Sequence, residues 1–394
     1  MPYRINPLVK AVRMTPIATI REAAEAGDFP PDKPLLDVGP GEPDYPPAAA
    51  LNDHLAAIIA RPETARYTGI MGIAPLRAAL AATTRRLYGG DLKGDQVAIT
   101  AGCNQAFCMA MMALAGAGDE VILPVPYYFN HPMWLELLGV RPVTFPARLD
   151  RGGLPEVADA EVLIGDRTRA IVLVAPNNPT GAIYPPALID AFFALAQRHR
   201  IALVIDETYR DFLPPGDVPH GLFRRADWAE TFVHLYSFSK VYALTGYRVG
   251  AVAAGPALLD AMAKALDCVS ISTSRIAQEG ALYGLLHLDD WRAEKRTLIR
   301  DRTEALRAAF RRNDLAYELI NAGPFFAYAR HPFAGVPALE VARRLAREQN
   351  LLTMPGSAFG PGQEDYLRIA FGNVGADRMP DLAARLVASQ DPAG

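Results

Sequence analysis

Lys240 closes the run Ser237-Phe238-Ser239-Lys240, directly after an apolar segment, Thr231 to Tyr236, with the composition of a buried strand. An amine at the end of such a strand loses hydration, its pKa falls, and it becomes available as a nucleophile toward a carbonyl. Eight residues on, Arg248 adds a permanent forked cation, and with the hydroxyls of Ser237 and Ser239 it makes a set suited to a phosphate. Asp206 ends a second apolar run, Ile201 to Ile205, and Tyr209 follows three residues later. A carboxylate in that position can pair with a protonated heteroaromatic nitrogen, and a tyrosine hydroxyl can donate to a ring oxygen beside it. Taken singly, each residue has an ordinary reading as a snorkelling surface lysine, a turn acid or a tyrosine satisfied by a carbonyl. Their conjunction describes an amine that captures an aldehyde and an acid that keeps a ring cationic.

Three further segments extend this chemistry. Thr100-Ala101-Gly102-Cys103-Asn104-Gln105-Ala106 reads as a strand-to-helix turn, opening a helix through Phe107, Met111 and Leu114, whose first backbone N–H groups face an anion. Asn178, in Pro176-Asn177-Asn178-Pro179-Thr180-Gly181, has an amide able to donate to a ring oxygen and to reach a carboxylate. Tyr128, in Pro126-Tyr127-Tyr128-Phe129, is placed to stack on an aromatic ring by offset contact. Arg368 lies inside the alternating strand Tyr366-Leu367-Arg368-Ile369-Ala370, where an unpaired guanidinium is costly and a bidentate carboxylate ligand relieves the cost. Pyridoxal 5'-phosphate makes these demands: a lysine for its aldehyde, an anion for its pyridinium nitrogen and a pocket for its phosphate.

From Gly41-Glu42-Pro43-Asp44 to Arg368 the chain resembles the class I/II aminotransferases, the fold-type I pyridoxal-phosphate enzymes related to aspartate aminotransferase. The specific parts are Asn178-Pro179-Thr180-Gly181, Asp206-Glu207-Thr208-Tyr209 and Ser237 through Arg248, in family order and spacing. The resemblance implies Lys240 as the Schiff-base lysine, Asp206 as the partner of the pyridine nitrogen, and Asn178 and Tyr209 on the ring oxygen. It implies Gly102, Cys103, Asn104, Ser237, Ser239 and Arg248 around the phosphate, and Gly41 and Arg368 beside the substrate carboxylate. Tyr67, in Tyr67-Thr68-Gly69-Ile70-Met71-Gly72, matches the tyrosine that family members extend to the neighbouring subunit's phosphate, which implies a homodimer. Cys103 and Asn104 depart from the usual small or hydroxylic residues, and Arg275 stands where a smaller residue or proline is common. The implied reaction is ping-pong transfer of an amino group from an L-amino acid to a 2-oxo acid. A β-lyase of the cysteine-S-conjugate type, on the same scaffold, is the alternative.

The elements that must position these residues alternate between strand and helix, as in an α/β fold with a mostly parallel sheet covered on both faces. Strands are predicted at Glu120 to Val125, Ala170 to Ala175, Ile201 to Ile205, Thr231 to Tyr236 and Arg248 to Ala254. A helix is predicted at Pro186 to His199, with Leu188, Phe192 and Leu195 at helical spacing. Beyond about residue 285 come a long charged helix, Asp289 to Arg312, a strand at Phe325 to Arg330 and a helix at Ala338 to Gln349. Short strands near Leu351 and Leu367 and a closing helix follow. The expected division is a large cofactor-binding domain, 46–284, and a smaller α+β domain formed by 1–45 and 285–394.

Composition narrows the partners. A net charge of −3 provides no basic field for nucleic acid. The longest apolar run, Phe107 to Ala117, is too short to span a bilayer, and the polar start Met1-Pro2-Tyr3-Arg4 lacks a secretory core, so a cytoplasmic protein is expected. Three cysteines without ligand spacing argue against disulfides or a metal site. Ile17, Tyr128, Asn130 and His131 are candidates to line a side-chain site, His131 more as a turn or packing residue than as a proton carrier. The amino donor is expected to be neutral, hydrophobic or aromatic.

Overall fold

The computed structural model describes residues 3–25 and 29–390. Its centre is a seven-stranded sheet of β1 (Val97–Thr100), β2 (Glu120–Val125), β3 (Arg141–Pro146), β4 (Thr168–Val174), β5 (Ala202–Asp206), β6 (Phe232–Ser237) and β7 (Gly250–Ala253). The spatial order is β1-β7-β6-β5-β4-β2-β3. Only β7 runs opposite to the other six strands, so the sheet is mostly parallel, as predicted. Its central strands are almost wholly buried, because helices cover both faces and mainly apolar residues satisfy both sides of the pleat. The helix Pro186–His199 starts on a proline in its first turn and ends at Arg200 in the left-handed conformation. It buries Ile189, Phe192, Phe193, Leu195 and Ala196, while the predicted Leu188 stays at the edge of this stripe.

A second, antiparallel sheet contains β8 (Glu318–Ala322), β9 (Phe326–Arg330), β10 (Met354–Pro355) and β11 (Tyr366–Ala370), in the order β10-β11-β9-β8. The strand predicted from Phe325 begins one residue later, since Phe325 has a left-handed backbone, φ 68°. β3 and β8 were not legible as strands: both are edge strands with only one buried residue each, so neither carries a clean apolar pattern. Leu36–Asp37 pairs in parallel with Leu351–Leu352, and the Val38 carbonyl accepts from the Ala370 N–H at 2.8 Å. This pairing delivers Gly39 to Glu42 to the gap between the two sheets.

Two further contacts join the sheets. Arg302 forks onto Asp44, both N···O distances being 2.9 Å, and also donates to the Gly372 carbonyl. The loop Asn177–Gly181 meets the second sheet where Asn321 Nδ2 donates to the Thr180 carbonyl at 3.1 Å. There Gly323 lies so close to Gly181, itself at φ 71°, that a Cβ on Gly323 would run into the Gly181 carbonyl oxygen. Neither backbone has room to retreat, so Gly323→Ala is expected to lower unfolding free energy by about 1–3 kcal/mol. Gly165→Ala, where nothing lies within 4 Å of the added methyl, shifts it by less than about 0.5 kcal/mol. Urea midpoints of the two variants measure the difference.

Candidate active site

Three adjacent parallel strands, β4, β5 and β6, end at Val174, Asp206 and Ser237, and all three residues line one cavity of about 260 Å³. This is where open α/β sheets gather ligands, since the loops diverge beyond the carboxyl ends of the strands. Lys240 reaches the cavity from the turn after β6, and its Nζ donates to the Gly41 carbonyl at 2.7 Å. Burial strips hydration from this amine and brings its pKa down to about 8; Arg248 and Arg368 act in the same direction, while Glu42 and Asp206 oppose them.

Asp206 is buried yet stays ionised. Burial pushes its carboxyl pKa up, but His131 and Thr208 outweigh that effect and hold it below the usual range. Thr208 donates to Oδ1 through its backbone N–H at 3.0 Å and its hydroxyl at 2.7 Å, and the Cys103 thiol lies 3.4 Å from the same oxygen. His131 Nε2 lies 3.6 Å from Oδ2, with the imidazole stacked on Phe107 at 4.0 Å between centroids. His131 is therefore packed behind Asp206 and is not a wall of the cavity.

Arg368 is buried between the rings of Phe326 and Phe359, at 5.0 and 4.9 Å. Nη1 donates to Asn178 Oδ1 at 3.0 Å and Nη2 to the Gly39 carbonyl, while Nε has no partner among the described residues. No carboxylate pairs with it there, and burial brings its pKa down to about 10. Because the Asn178 oxygen is taken by Arg368, its NH2 remains for the cavity. Tyr209 packs edge-on against Phe326, and its hydroxyl makes no hydrogen bond among the described residues.

The anion cradle is assembled from separate segments. The helix Gly102–Leu114 starts at the cavity, with Cys103 and Asn104 in its walls and the N–H groups of its first turn free of helical partners. Gly102, at φ 81°, leaves room only for hydrogen: a Cβ there would collide with the Arg248 guanidinium. Arg248 itself has a left-handed backbone, φ 53°, and steadies Nη1 on the Thr245 carbonyl at 2.9 Å. Ser237 Oγ accepts from the Ser239 N–H at 3.2 Å, and Ser239 Oγ is buried without a partner among the described residues. Tyr128 also lines the cavity, its hydroxyl donating to Asn104 Oδ1 at 3.3 Å and its ring edge-on to His131.

Other candidates fall differently. Tyr67 is 76% exposed and outside the cavity, and Arg275 pairs with Glu279 at 3.1 Å in the first turn of its helix. Ile17 lines the cavity, whereas Asn130 contributes only through Asn104, its Oδ1 3.4 Å from Asn104 Nδ2. Sequence reasoning missed Thr208, whose signal was an acid followed two residues later by a hydroxyl. It also missed Glu42 and Phe129 as cavity walls, for which no local signal existed.

The residues present fit pyridoxal phosphate. An unprotonated amine is accessible near neutral pH, and an ionised carboxylate, an orphaned hydroxyl, free N–H groups and a guanidinium line the same cavity.

The sequence model for aminotransferase class I and II matches residues 33–386. The arginine–pyruvate transaminase of Pseudomonas aeruginosa is 30% identical over 368 residues, covering 89% of each chain. The aromatic-amino-acid aminotransferase 2 of Thermococcus litoralis is 26% identical, covering 86% of this chain and 88% of its own. Among solved structures, a mutant of the Thermus thermophilus aspartate aminotransferase superposes with a TM-score of 0.89 at 25% identity, over 98% of this chain and 100% of that one. The chain belongs to the class I and II aminotransferases, pyridoxal-phosphate-dependent enzymes of fold type I that move an amino group between an amino acid and a 2-oxo acid.

Proposed function

We propose that Lys240, Asp206 and Tyr209 carry the transamination of this enzyme and that Arg368, Asn178 and Gly41 bind its amino-acid and 2-oxo-acid substrates. Bound pyridoxal phosphate supplies the aldehyde that accepts the amino group and the ring that delocalises the electrons of the broken Cα–H bond. Lys240 would hold that aldehyde at rest, and once free its Nζ would accept the proton leaving the substrate Cα and return it on the cofactor side of the bridging nitrogen. Asp206 keeps the ring nitrogen protonated, a role supported by the donors that hold it ionised. Tyr209 and the Asn178 NH2 donate to the ring oxygen, and Tyr128 stacks on the ring. Gly102, Cys103, Asn104, Ser237, Ser239 and Arg248 hold the phosphate. One observation carries the reading: a buried guanidinium without a carboxylate partner shares a cavity with an amine poised to deprotonate near pH 8.

The finer assignments follow the same logic. A homodimer with shared active sites gives the exposed Tyr67 its function, reaching the partner's phosphate. The division into 46–284 and 1–45 with 285–394 is supported by a separate apolar cluster around the second sheet, whose buried members come only from residues 20–38 and 306–386. Three free cysteines, one of them exposed, suit the reducing cytoplasm. Among the described residues no helix is long and apolar enough to cross a membrane. The relatives named above are all aminotransferases, so the β-lyase alternative gains no support from them.

Amino-group transfer from a donor panel to 2-oxoglutarate or pyruvate tests the reaction; release of pyruvate and ammonia from cystathionine without transfer would sink it in favour of the lyase. Lys240→Ala is expected to lower transfer by more than about 10³-fold, while the protein still takes up pyridoxal phosphate through the phosphate cradle. Retained turnover in that variant refutes the lysine assignment. Arg368→Ala should raise KM for the amino acid by at least about 10-fold, with a smaller change in kcat, as steady-state kinetics will read. The Lys240 pKa also sets a pH dependence. As pH rises through about 8 the amine loses its proton and gains its lone pair, so cofactor uptake by the cofactor-free protein accelerates. The stopped-flow rate is expected to climb about tenfold from pH 7 to pH 9 and then level.

A further inference from the structure

We propose that Gln278 is a positioning residue for the cofactor site of the partner subunit: it grips both ends of the loop that follows Tyr67 and so fixes where that tyrosine's hydroxyl emerges. The proposal rests on the reading above in which Tyr67 reaches the phosphate held by a second copy of the chain. Gln278 is not a wall of the active-site cavity of its own chain, so any effect on cofactor binding passes through another residue.

An exposed aromatic side chain ahead of a glycine-bearing loop has no fixed place of its own. Tyr67 is followed by Thr68-Gly69-Ile70-Met71-Gly72, and Gln278, near the start of the helix Arg275–His287, is wholly buried beside this loop. Gln278 Nε2 donates to Thr68 Oγ1 at 3.0 Å and to the Thr273 carbonyl at 2.8 Å, and its Oε1 accepts from the Ile73 N–H at 2.7 Å. Both amide hydrogens are thereby used, and the orientation of the amide is fixed, since the Ile73 N–H can only donate and the Thr273 carbonyl can only accept. One side chain thus holds the residue directly after Tyr67 and the residue that closes the loop.

The clamp has a stiff base. Ile99, wholly buried in β1, donates its N–H to the Met71 carbonyl at 3.0 Å, and its own carbonyl accepts from Thr273 Oγ1 at 3.3 Å. Ser272 Oγ accepts from the Thr68 N–H at 3.2 Å. Gly72, at φ 91°, is pressed between these groups, and a Cβ there would collide with Ile99 and with Gln278 Oε1. A donor ordered in advance loses less freedom on meeting its anion than a roaming one, so the clamp raises cofactor affinity at a site in which Gln278 takes no direct part. Because β1 also leads into the anion cradle of its own chain at Gly102, the test must separate action on the partner's site from action on the residue's own.

Titration of the cofactor-free protein with pyridoxal phosphate gives the first readout. Tyr67→Phe is expected to weaken binding by at least about tenfold and Gln278→Ala by at least about fivefold, with the double variant no more than about twofold weaker than Tyr67→Phe, because both changes remove the same contact. Thr68→Val, which removes only the loop-side bond, serves if Gln278→Ala does not fold; it should weaken binding at least about threefold, and not at all in the Tyr67→Phe background. Additive losses, or unchanged affinity in Gln278→Ala and Thr68→Val, overturn the proposal. The second readout is a hybrid dimer of a Gln278→Ala (or Thr68→Val) chain and a Lys240→Ala chain, isolated through different tags. Its site with an intact Lys240 receives Tyr67 from the chain whose clamp is intact. At a cofactor concentration that fills native sites but leaves the clamp-variant homodimer mostly empty, the hybrid should show about half the wild-type amino transfer per dimer. A hybrid no better than that homodimer places the effect in the residue's own subunit and overturns the proposal alone. Unchanged affinity in Tyr67→Phe, or failure to recover any hybrid, sinks the shared-site reading and the proposal with it.

Discussion

Ionisable groups held out of water where the carboxyl edge of the first sheet faces the second are the constraint around which this molecule is organised. Lys240, Asp206 and Arg368 all pay a desolvation penalty, and each meets it differently. Asp206 collects donors from Thr208 and the proximity of His131, so it remains charged. Among the described residues Lys240 has only the Gly41 carbonyl within hydrogen-bond distance, and its proton becomes easy to lose. Arg368 cannot discharge at physiological pH and keeps a guanidinium that two neutral oxygens satisfy incompletely. One desolvated region thus prepares a fixed anion, a labile amine and a standing demand for a carboxylate.

Such an arrangement survives only on a stiff support. Beneath the Asp206 corner, the next residue, Glu207, is wholly buried and bonded to His234 Nε2 at 2.9 Å and to the Tyr88 hydroxyl. Burial pushes the Glu207 carboxyl up, but His220 and His234 outweigh it and keep it ionised. Arg210 closes the cluster, lying over Tyr236 at 3.8 Å. Residues 206–210 therefore divide between two sides: Asp206, Thr208 and Tyr209 toward the cavity, Glu207 and Arg210 into a polar core that fixes the turn.

The second sheet acts as a wall for the first. Phe326 and Arg368 come from it, Gly39 to Glu42 arrive on the segment paired to it, and the Gly181–Gly323 approach and the Arg302–Asp44 fork hold the gap. The separation of the two sheets is thus held by one backbone approach and one side-chain ion pair, both outside the cavity walls. Phe359 and Phe129 belong to segments far apart in the chain yet pack as neighbouring rings beside the cavity.

The sequence by itself determined which polar residues stand at the carboxyl edge of the sheet, because a strand of buried composition ending in Asp or in Ser-x-Ser-Lys leaves its polar end residue there. The central strands were legible for the same reason, their apolar runs being long and unbroken. The edge strands at Arg141 and Glu318 were not, since half-exposed segments carry mixed patterns. Tertiary structure alone decided that His131 backs Asp206, that the Asn178 oxygen belongs to Arg368, and that Glu42 and Phe129 complete the cavity. Those relations join residues tens to hundreds of positions apart, and their geometry comes from how the two sheets pack, which no local spacing encodes.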